Sequence, residues 1–328
     1  ARLAGLTSAS VVLGLTLLVV ACPGALVISI PVSIVAGIGR SARDGILIKG
    51  GEFLETAAKI DVVAVDKTGT LTKGRPQLTD VVALAPGVEK NQALAWAARA
   101  EAGSEHPLAR PILEAAEKAG IPVAALPEHI EPVIGKGITA RVDGKRVLIG
   151  NLALLEQFGV ADTVGADRVA HELATQGRTP MIVAVDDQVL GVIAVADEIR
   201  RDAAAMVAAL HKAGVKKVVM LTGDVKPVAD AVAAATGIDE VHAGLLPEDK
   251  LDIVARLQRA GHVVAMVGDG VNDAPALATA DVGVAMGAAG SAVAVETADI
   301  ALMGDDLLKL PEAISLARRT LANIRQNI

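Results

Sequence analysis

Three short stretches of this chain place aspartates where they could do chemistry on phosphorus. In DKTGTLT, residues 66–72, Asp66 follows the apolar run VVAV and precedes small hydroxylated residues and a glycine that permit a tight turn. A carboxylate there can attack phosphorus, while backbone N–H groups and Thr68 hold the phosphoryl oxygens. An isolated Asp in such a place is most often a helix cap or turn residue, but the whole heptapeptide is far more specific. Phosphoryl transfer also requires Mg²⁺ and a cation to offset charge on the equatorial oxygens. In GDGVNDAP, Asp269 and Asp273 stand one helical turn apart, so both can face one side of a helix start with Asn272 beside them. Thr222, Gly223 and Asp224 supply a hydroxyl and backbone donors, and Lys250 supplies positive charge. A single helix lysine is usually solvated; four such elements in this order favour a site.

Each of these aspartates ends or closely follows a Val-rich run of strand length: VVAV before Asp66, KVVMLTGD up to Asp224 and HVVAMVGDG around Asp269. Helical patterns, VADAVAAAT and PEDKLDIVARLQRAG, lie between the last two, the second ended by Gly261. Strand, helix, strand in this order predicts an α/β fold with a doubly wound parallel sheet, whose ligand crevice lies at the carboxyl ends of the strands. From about Pro76 to Ala194 runs an insertion of about 120 residues, too long for a connecting loop. It reads as an α+β unit of its own. RVLIGN and MIVAVDDQVLGVIAV are strands with a hairpin turn at Asp186 and Asp187, and ALAWAARAE and PLARPILEAAEKAG are helices.

The 328 residues suffice for two or three domains. Apolar residues make up 52% of the chain, mostly Ala and Val, which implies dense packing or contact with lipid. A formal net charge of −7 without a basic cluster excludes nucleic acid as a partner. The single cysteine, Cys22, cannot form an internal disulfide, so nothing suggests an oxidising compartment and the soluble part is expected in the cytosol. No charged residue occurs from Leu6 to Ile38, longer than the roughly 20 residues that cross a bilayer, and the run reads as a transmembrane span. A secretory signal peptide would have a shorter apolar run and a more basic start. Arg40 and Arg43 after the run fit a cytoplasmic exit. Within it, ACPGALVISIP, residues 21–31, sets Cys22 beside a break expected at Pro23, with a second expected at Pro31, the kind of place where transporters hold ions. A thiolate there is a soft ligand for a transition metal.

DKTGTLT, TGD and GDGVNDAP together resemble the P-type ATPases, membrane pumps with a haloacid-dehalogenase-like phosphorylation domain. The cysteine–proline motif, LIKGG at 47–51 and SEHP at 104–107 narrow the resemblance to the heavy-metal-transporting, CPx-type subfamily. It covers essentially the whole chain. The division it implies is a transmembrane helix with the metal-site motif over 1–40, a phosphorylation domain over 41–75 and 195–312, a nucleotide-binding domain over 76–194, and the start of a link to the next membrane helix over 313–328. By the same resemblance ATP phosphorylates Asp66, and Lys67 and Thr68 contact the phosphoryl group. Asp66 and Asp269, with Thr68 and Asp273 in support, hold Mg²⁺, and Thr222, Gly223, Asp224, Lys250 and Asn272 complete the site.

In the insert, Glu101, His106, Gly135, Gly137 and Asn151 match the positions with which the subfamily holds ATP. The residues agree in kind, since the glycines of IGKGI let a ligand approach the backbone and His106 can stack on or hydrogen-bond adenine. Thr68 stands where many dehalogenase-like phosphatases carry a second, acid–base Asp, so an aspartyl phosphate here should be long-lived. The resemblance further implies an integral protein of the cell membrane with cytoplasmic catalytic domains. Its partners would be lipid, a transported metal bound at Cys22, and the rest of a pump, including an actuator domain whose TGE motif this chain lacks. ALVISIP resembles zinc, cadmium and lead pumps more than copper pumps, and Gly24 replaces the second cysteine that most relatives carry, leaving a copper-type two-thiolate site without one ligand. A soluble dehalogenase-like phosphatase would use the same strand-end residues but explains neither Thr68 nor the apolar start. A non-catalytic nucleotide sensor would be expected to lack one of Asp66, Asp269 or Lys250, and all three are present.

Overall fold

The computed structural model describes residues 2–21, 24–104, 106, 108–123, 125–269, 273–287 and 296–326, with side chains at 9–18 and from 28 onward within those spans. Cys22 and Asn272 lie outside the described residues.

Thirteen strands among the described residues form two sheets. In chain order they are β1 (Ile46–Ile48), β2 (Val62–Asp66), β3 (Gln77–Ala83), β4 (His129–Val133), β5 (Gly137–Val142), β6 (Lys145–Gly150) and β7 (Thr179–Val185). They continue with β8 (Gln188–Ala196), β9 (Lys217–Leu221), β10 (Glu240–His242), β11 (Val264–Gly268), β12 (Val282–Ala285) and β13 (Ile300–Leu302). The first sheet has the order β1-β13-β12-β11-β2-β9-β10 and is parallel except where β1 meets β13. Its interior strand β2, VVAVD, is buried along its whole length, as a run of β-branched residues covered on both faces should be. Val63 and Val65 pack with the helices Ala203–Lys212 and Lys309–Gln326 on one face; Val62 and Ala64 pack with Pro247–Arg259 and Ala274–Thr279 on the other.

Register places the functional ends of the strands side by side. Val65 pairs with Val267 and Asp66 with Leu221, so the residues that follow β2, β9 and β11 emerge along one edge. At the opposite end, aspartates take up strand N–H groups at the edge of the ladder: Asp61 accepts from Val263, Asp239 from Val218, Asp281 from Val264 and Asp299 from Gly283, all at 2.7–2.9 Å.

The second sheet, β3-β8-β7-β6-β5-β4, is antiparallel throughout. Helices Lys90–Glu101 and Ala109–Lys118 cover one face, and Leu152–Gln157 and Val164–Thr175 the other. The β7–β8 hairpin turns at Asp186 and Asp187, with φ of 45° and 69°, as the sequence predicts. Gln77 pairs with Ala196, so the chain enters and leaves this unit through adjacent strands.

Over the apolar run from Leu6 to Ile38 the described residues form the helices α1 (Arg2–Ala21) and α2 (Gly24–Arg43), and Pro31, where a break is expected, lies inside α2 without ending it. Among the described residues no helix is long and apolar enough to cross a membrane. Large apolar side chains of α1, from Val11 to Leu18, are nevertheless more than half exposed. Near its other end α2 meets the helix Lys309–Gln326, where Gly37 leaves room for Thr320.

Candidate active site

The predicted nucleophile stands at the end of β2 with only 6% of its surface exposed. Lys250, on the helix Pro247–Arg259, reaches across to place its ammonium 2.6 Å from Asp66 Oδ1 and 2.7 Å from Asp273 Oδ1. That helix starts where Pro247, having no N–H, needs no hydrogen-bond acceptor and Asp249 accepts from the Leu246 N–H at 2.8 Å, which fixes the first turn from which Lys250 projects. Asp273 is 3% exposed, and its carboxylate lies over the end of β11 because residue 268 is glycine: a Cβ there would sit 2.6 Å from Asp273 Oδ2. Asp269 lies against Gly69 in the loop that follows β2.

Burial pushes the Asp66 carboxyl up to about 6, with Asp273 and Asp269 adding to the rise and Lys250 opposing it. Burial also works against the Lys250 charge, but Asp66 and Asp273 outweigh it and hold its pKa above the ordinary lysine value. Three carboxylates thus surround a region where Lys250 is the balancing cation. As the side chains stand, no three or more His, Cys, Asp or Glu among the described residues are grouped to hold a metal ion. The chemistry of the donor set nevertheless suits Mg²⁺, which takes oxygen ligands and pairs with few carboxylates at a time.

Lys67 is turned away from its neighbour Asp66. Its ammonium pairs with Asp224 Oδ2 at 2.6 Å, both side chains being largely buried. The Asp224 N–H donates to Thr222 Oγ1 at 3.1 Å, which folds the TGD turn back on itself. Gly223 passes close to the Leu245 carbonyl, and Thr68 is exposed.

All five residues predicted for the insert line one cavity of about 330 Å³, and Gly223 and Asp224 close its other side. Glu101 is 2% exposed and its Oε2 has no hydrogen-bond partner, so a buried acceptor is available in the cavity wall. Burial raises its pKa, against a hydrogen bond from Ser104. His106 stands at the mouth, where desolvation lowers its pKa. Its Nδ1 accepts from the Leu108 N–H at 3.3 Å, which makes Nε2–H the free donor of a neutral ring. Asn151 spends its amide on positioning: Oδ1 accepts from the Leu154 N–H and Nδ2 donates to the Gly135 carbonyl. Gly137 departs from the expectation that it opens the backbone to a ligand. A Cβ there would stand 2.1 Å from the Ile149 carbonyl, so glycine is required by the approach of β6; Gly135 instead faces open space. The unpartnered carboxylate, the imidazole donor and the open Gly135 turn fit the donors and acceptors of an adenine nucleotide.

Two residues of this region were absent from the sequence reading. Asp197, just beyond β8, accepts from Thr72 Oγ1 at 2.6 Å and from the Gly74 and Arg75 N–H groups at 3.0 Å, tying together the two connections between the sheets. Thr179, at the start of β7, donates to Asp224 Oδ1 at 3.1 Å. Their partners are distant in sequence, and no local pattern announces either contact.

Residues 60–281 match the model of the haloacid dehalogenase-like hydrolases, and the chain belongs to that family. It is 46% identical over 317 residues to a cadmium-transporting ATPase of Staphylococcus aureus, covering 96% of this chain and 44% of that protein. It is also 46% identical over 315 residues to a zinc-exporting P-type ATPase of Mycobacterium marinum, covering 95% of this chain and 43% of the relative. The chain therefore spans less than half the length of these curated relatives. Among solved structures it is similar to a zinc-transporting PIB-type ATPase in the E2.Pi state, with a TM-score of 0.70 and 45% identity over 95% of this chain and 50% of that one. It also resembles the catalytic domain of a CPx-ATPase at a TM-score of 0.63 and 28% identity, over 85% of this chain and 98% of that domain.

Proposed function

We propose that this chain takes the terminal phosphoryl group of ATP onto Asp66 and, as part of a longer membrane pump, couples that step to export of a heavy-metal cation. The observation that carries the reading is the Asp66–Lys250–Asp273 constellation beside a cavity with one wall from each sheet. An Asp66 oxygen attacks the γ-phosphorus, the bond to the β,γ-bridging oxygen breaks, and its electron pair leaves with ADP. Glu101 and the Nε2–H of His106 hold the base, while Lys250 and Lys67 offset phosphoryl charge. Asp66, Asp269 and Asp273 would hold Mg²⁺, which when bound neutralises charge on the transferring oxygens. Thr68 offers no proton acceptor for hydrolysis, so the aspartyl phosphate persists until another part of the pump positions water.

The exposed apolar side chains of α1 suit lipid, and we place α1 and the start of α2 in the membrane, with both sheets on the cytoplasmic side. Cys22 would ligate the transported ion. The ALVISIP segment and the cadmium- and zinc-transporting relatives support a zinc, cadmium or lead substrate. Incubation with Mg²⁺ and γ-labelled ATP tests the reading: acid-stable, hydroxylamine-labile label is expected. A nucleotide sensor would give none, and a simple phosphatase would turn over without accumulating it.

A further inference from the structure

A nucleotide held by Glu101 and His106 must be brought into line with Asp66, which belongs to the other sheet. Among the described residues, the insert is tied to the loop after β9 by a side-chain hydrogen bond from Thr179 Oγ1 to Asp224 Oδ1 at 3.1 Å. Both ends of that bond are held in place. Thr179 pairs with Val195 across the β7–β8 ladder, and its neighbour Arg178 donates to Asp80 on β3 at 2.6 Å. On the other side, the Asp224 carbonyl accepts from the Gly244 N–H at 2.7 Å and the Asp224 N–H donates to Thr222 Oγ1. The second carboxylate oxygen of Asp224 carries Lys67, the residue next to the nucleophile. A continuous polar chain, Thr179–Asp224–Lys67, thus runs from the insert to the phosphorylation loop. Beside it the helices Val164–Thr175 and Lys226–Thr236 pack against each other, and Thr179 and Asp224 both line the nucleotide cavity.

We propose that Thr179 is a positioning residue, a clasp whose hydroxyl sets the insert against the Asp224 loop and so aligns the γ-phosphate of a bound nucleotide with Asp66. The proposal rests on the phosphoryl-transfer reading above. Its consequence is a division between donors: alignment by the insert matters for ATP and is irrelevant to a small donor without adenosine, such as acetyl phosphate.

The test compares the unsubstituted chain with Thr179→Val, which keeps the shape and removes the hydroxyl, and Thr179→Ser, which restores it. Single-turnover labelling from saturating MgATP and from acetyl phosphate is measured, with ATP affinity by calorimetry in EDTA. In Thr179→Val the ATP rate should fall about tenfold relative to the acetyl phosphate rate, the equivalent of one hydrogen bond to a charged group. Nucleotide affinity should stay within about twofold, and serine should restore the ratio. An unchanged ratio in Thr179→Val, failure of serine to restore it, or a lost affinity that saturating ATP overcomes would each overturn the clasp. Absence of label from both donors in the unsubstituted chain would overturn the phosphoryl-transfer reading itself.

Discussion

Replacing Lys250 by methionine keeps most of the side-chain volume and removes an ammonium that stands 2.6 Å from Asp66 and 2.7 Å from Asp273. With 6% and 3% of their surfaces exposed, the two carboxylates cannot recruit water in its place. Breaking a buried pair by removing one partner costs about 3–5 kcal/mol. The two acids can limit that cost by sharing a proton, so its size depends on pH. In the variant the folded-state carboxylate pKa rises further above the unfolded value, so the folded form binds the extra proton. The penalty is therefore absent at low pH and grows as pH climbs through the folded value, which is already about 6 for Asp66 with Lys250 in place. At pH 8 in EDTA, a loss of about 3 kcal/mol corresponds to a midpoint lower by roughly 6–12 °C for a domain of this size. At pH 5 most of that difference should vanish. Labelling of Lys250→Met by ATP should also be about 10²–10³-fold slower, the usual cost of removing a preorganised charge donor. Thermal unfolding followed by circular dichroism at the two pH values provides the assay. An equal loss at both, or none at either, would refute the assignment of Lys250 as the counter-charge of this buried pair.

Glu101→Gln should stabilise the protein at pH 8 and have little effect at pH 4, because the buried carboxyl has a raised folded-state pKa and costs stability only once ionised. A melting difference independent of pH would show that Glu101 carries no such cost. His106→Ala should weaken ATP binding by about 1–2 kcal/mol in calorimetry without Mg²⁺, and unchanged affinity would leave His106 as a turn residue. In a longer pump containing this segment, Cys22→Ser should abolish metal-stimulated ATP hydrolysis, whereas Gly24→Cys should leave it measurable and tighten binding of thiophilic metals. Full stimulation in Cys22→Ser would remove the cysteine from the ligand set.

The parallel strands and the Asp186–Asp187 hairpin are legible in the sequence because each is a local event: a β-branched run ending in a turn, or two residues that tolerate positive φ. Side-chain partnerships are not local. Lys67 reaches Asp224 instead of its neighbour, and Asp197 collects donors from residues 72–75 more than a hundred positions earlier. The aspartates at the floor of the sheet read as loop residues until register brings the N–H of the adjacent strand to each. Pro31 reads as a break in the apolar run, yet α2 continues through it, because a helix end depends on how the freed backbone groups are satisfied and not on the proline alone. In IGKGI the sequence shows two glycines of equal appearance, and only the packing of β5 on β6 separates the one that backbone contact requires from the one that faces open space.

The central claim is that Asp66 accepts the phosphoryl group. Its most direct test is to react the chain with MgATP, trap the product with borohydride, which reduces an aspartyl phosphate to homoserine, and locate the modified residue by peptide mass spectrometry. Homoserine at position 66, dependent on ATP and absent from Asp66→Asn, is the predicted result. Modification at another residue, or modification that survives in Asp66→Asn, would contradict it.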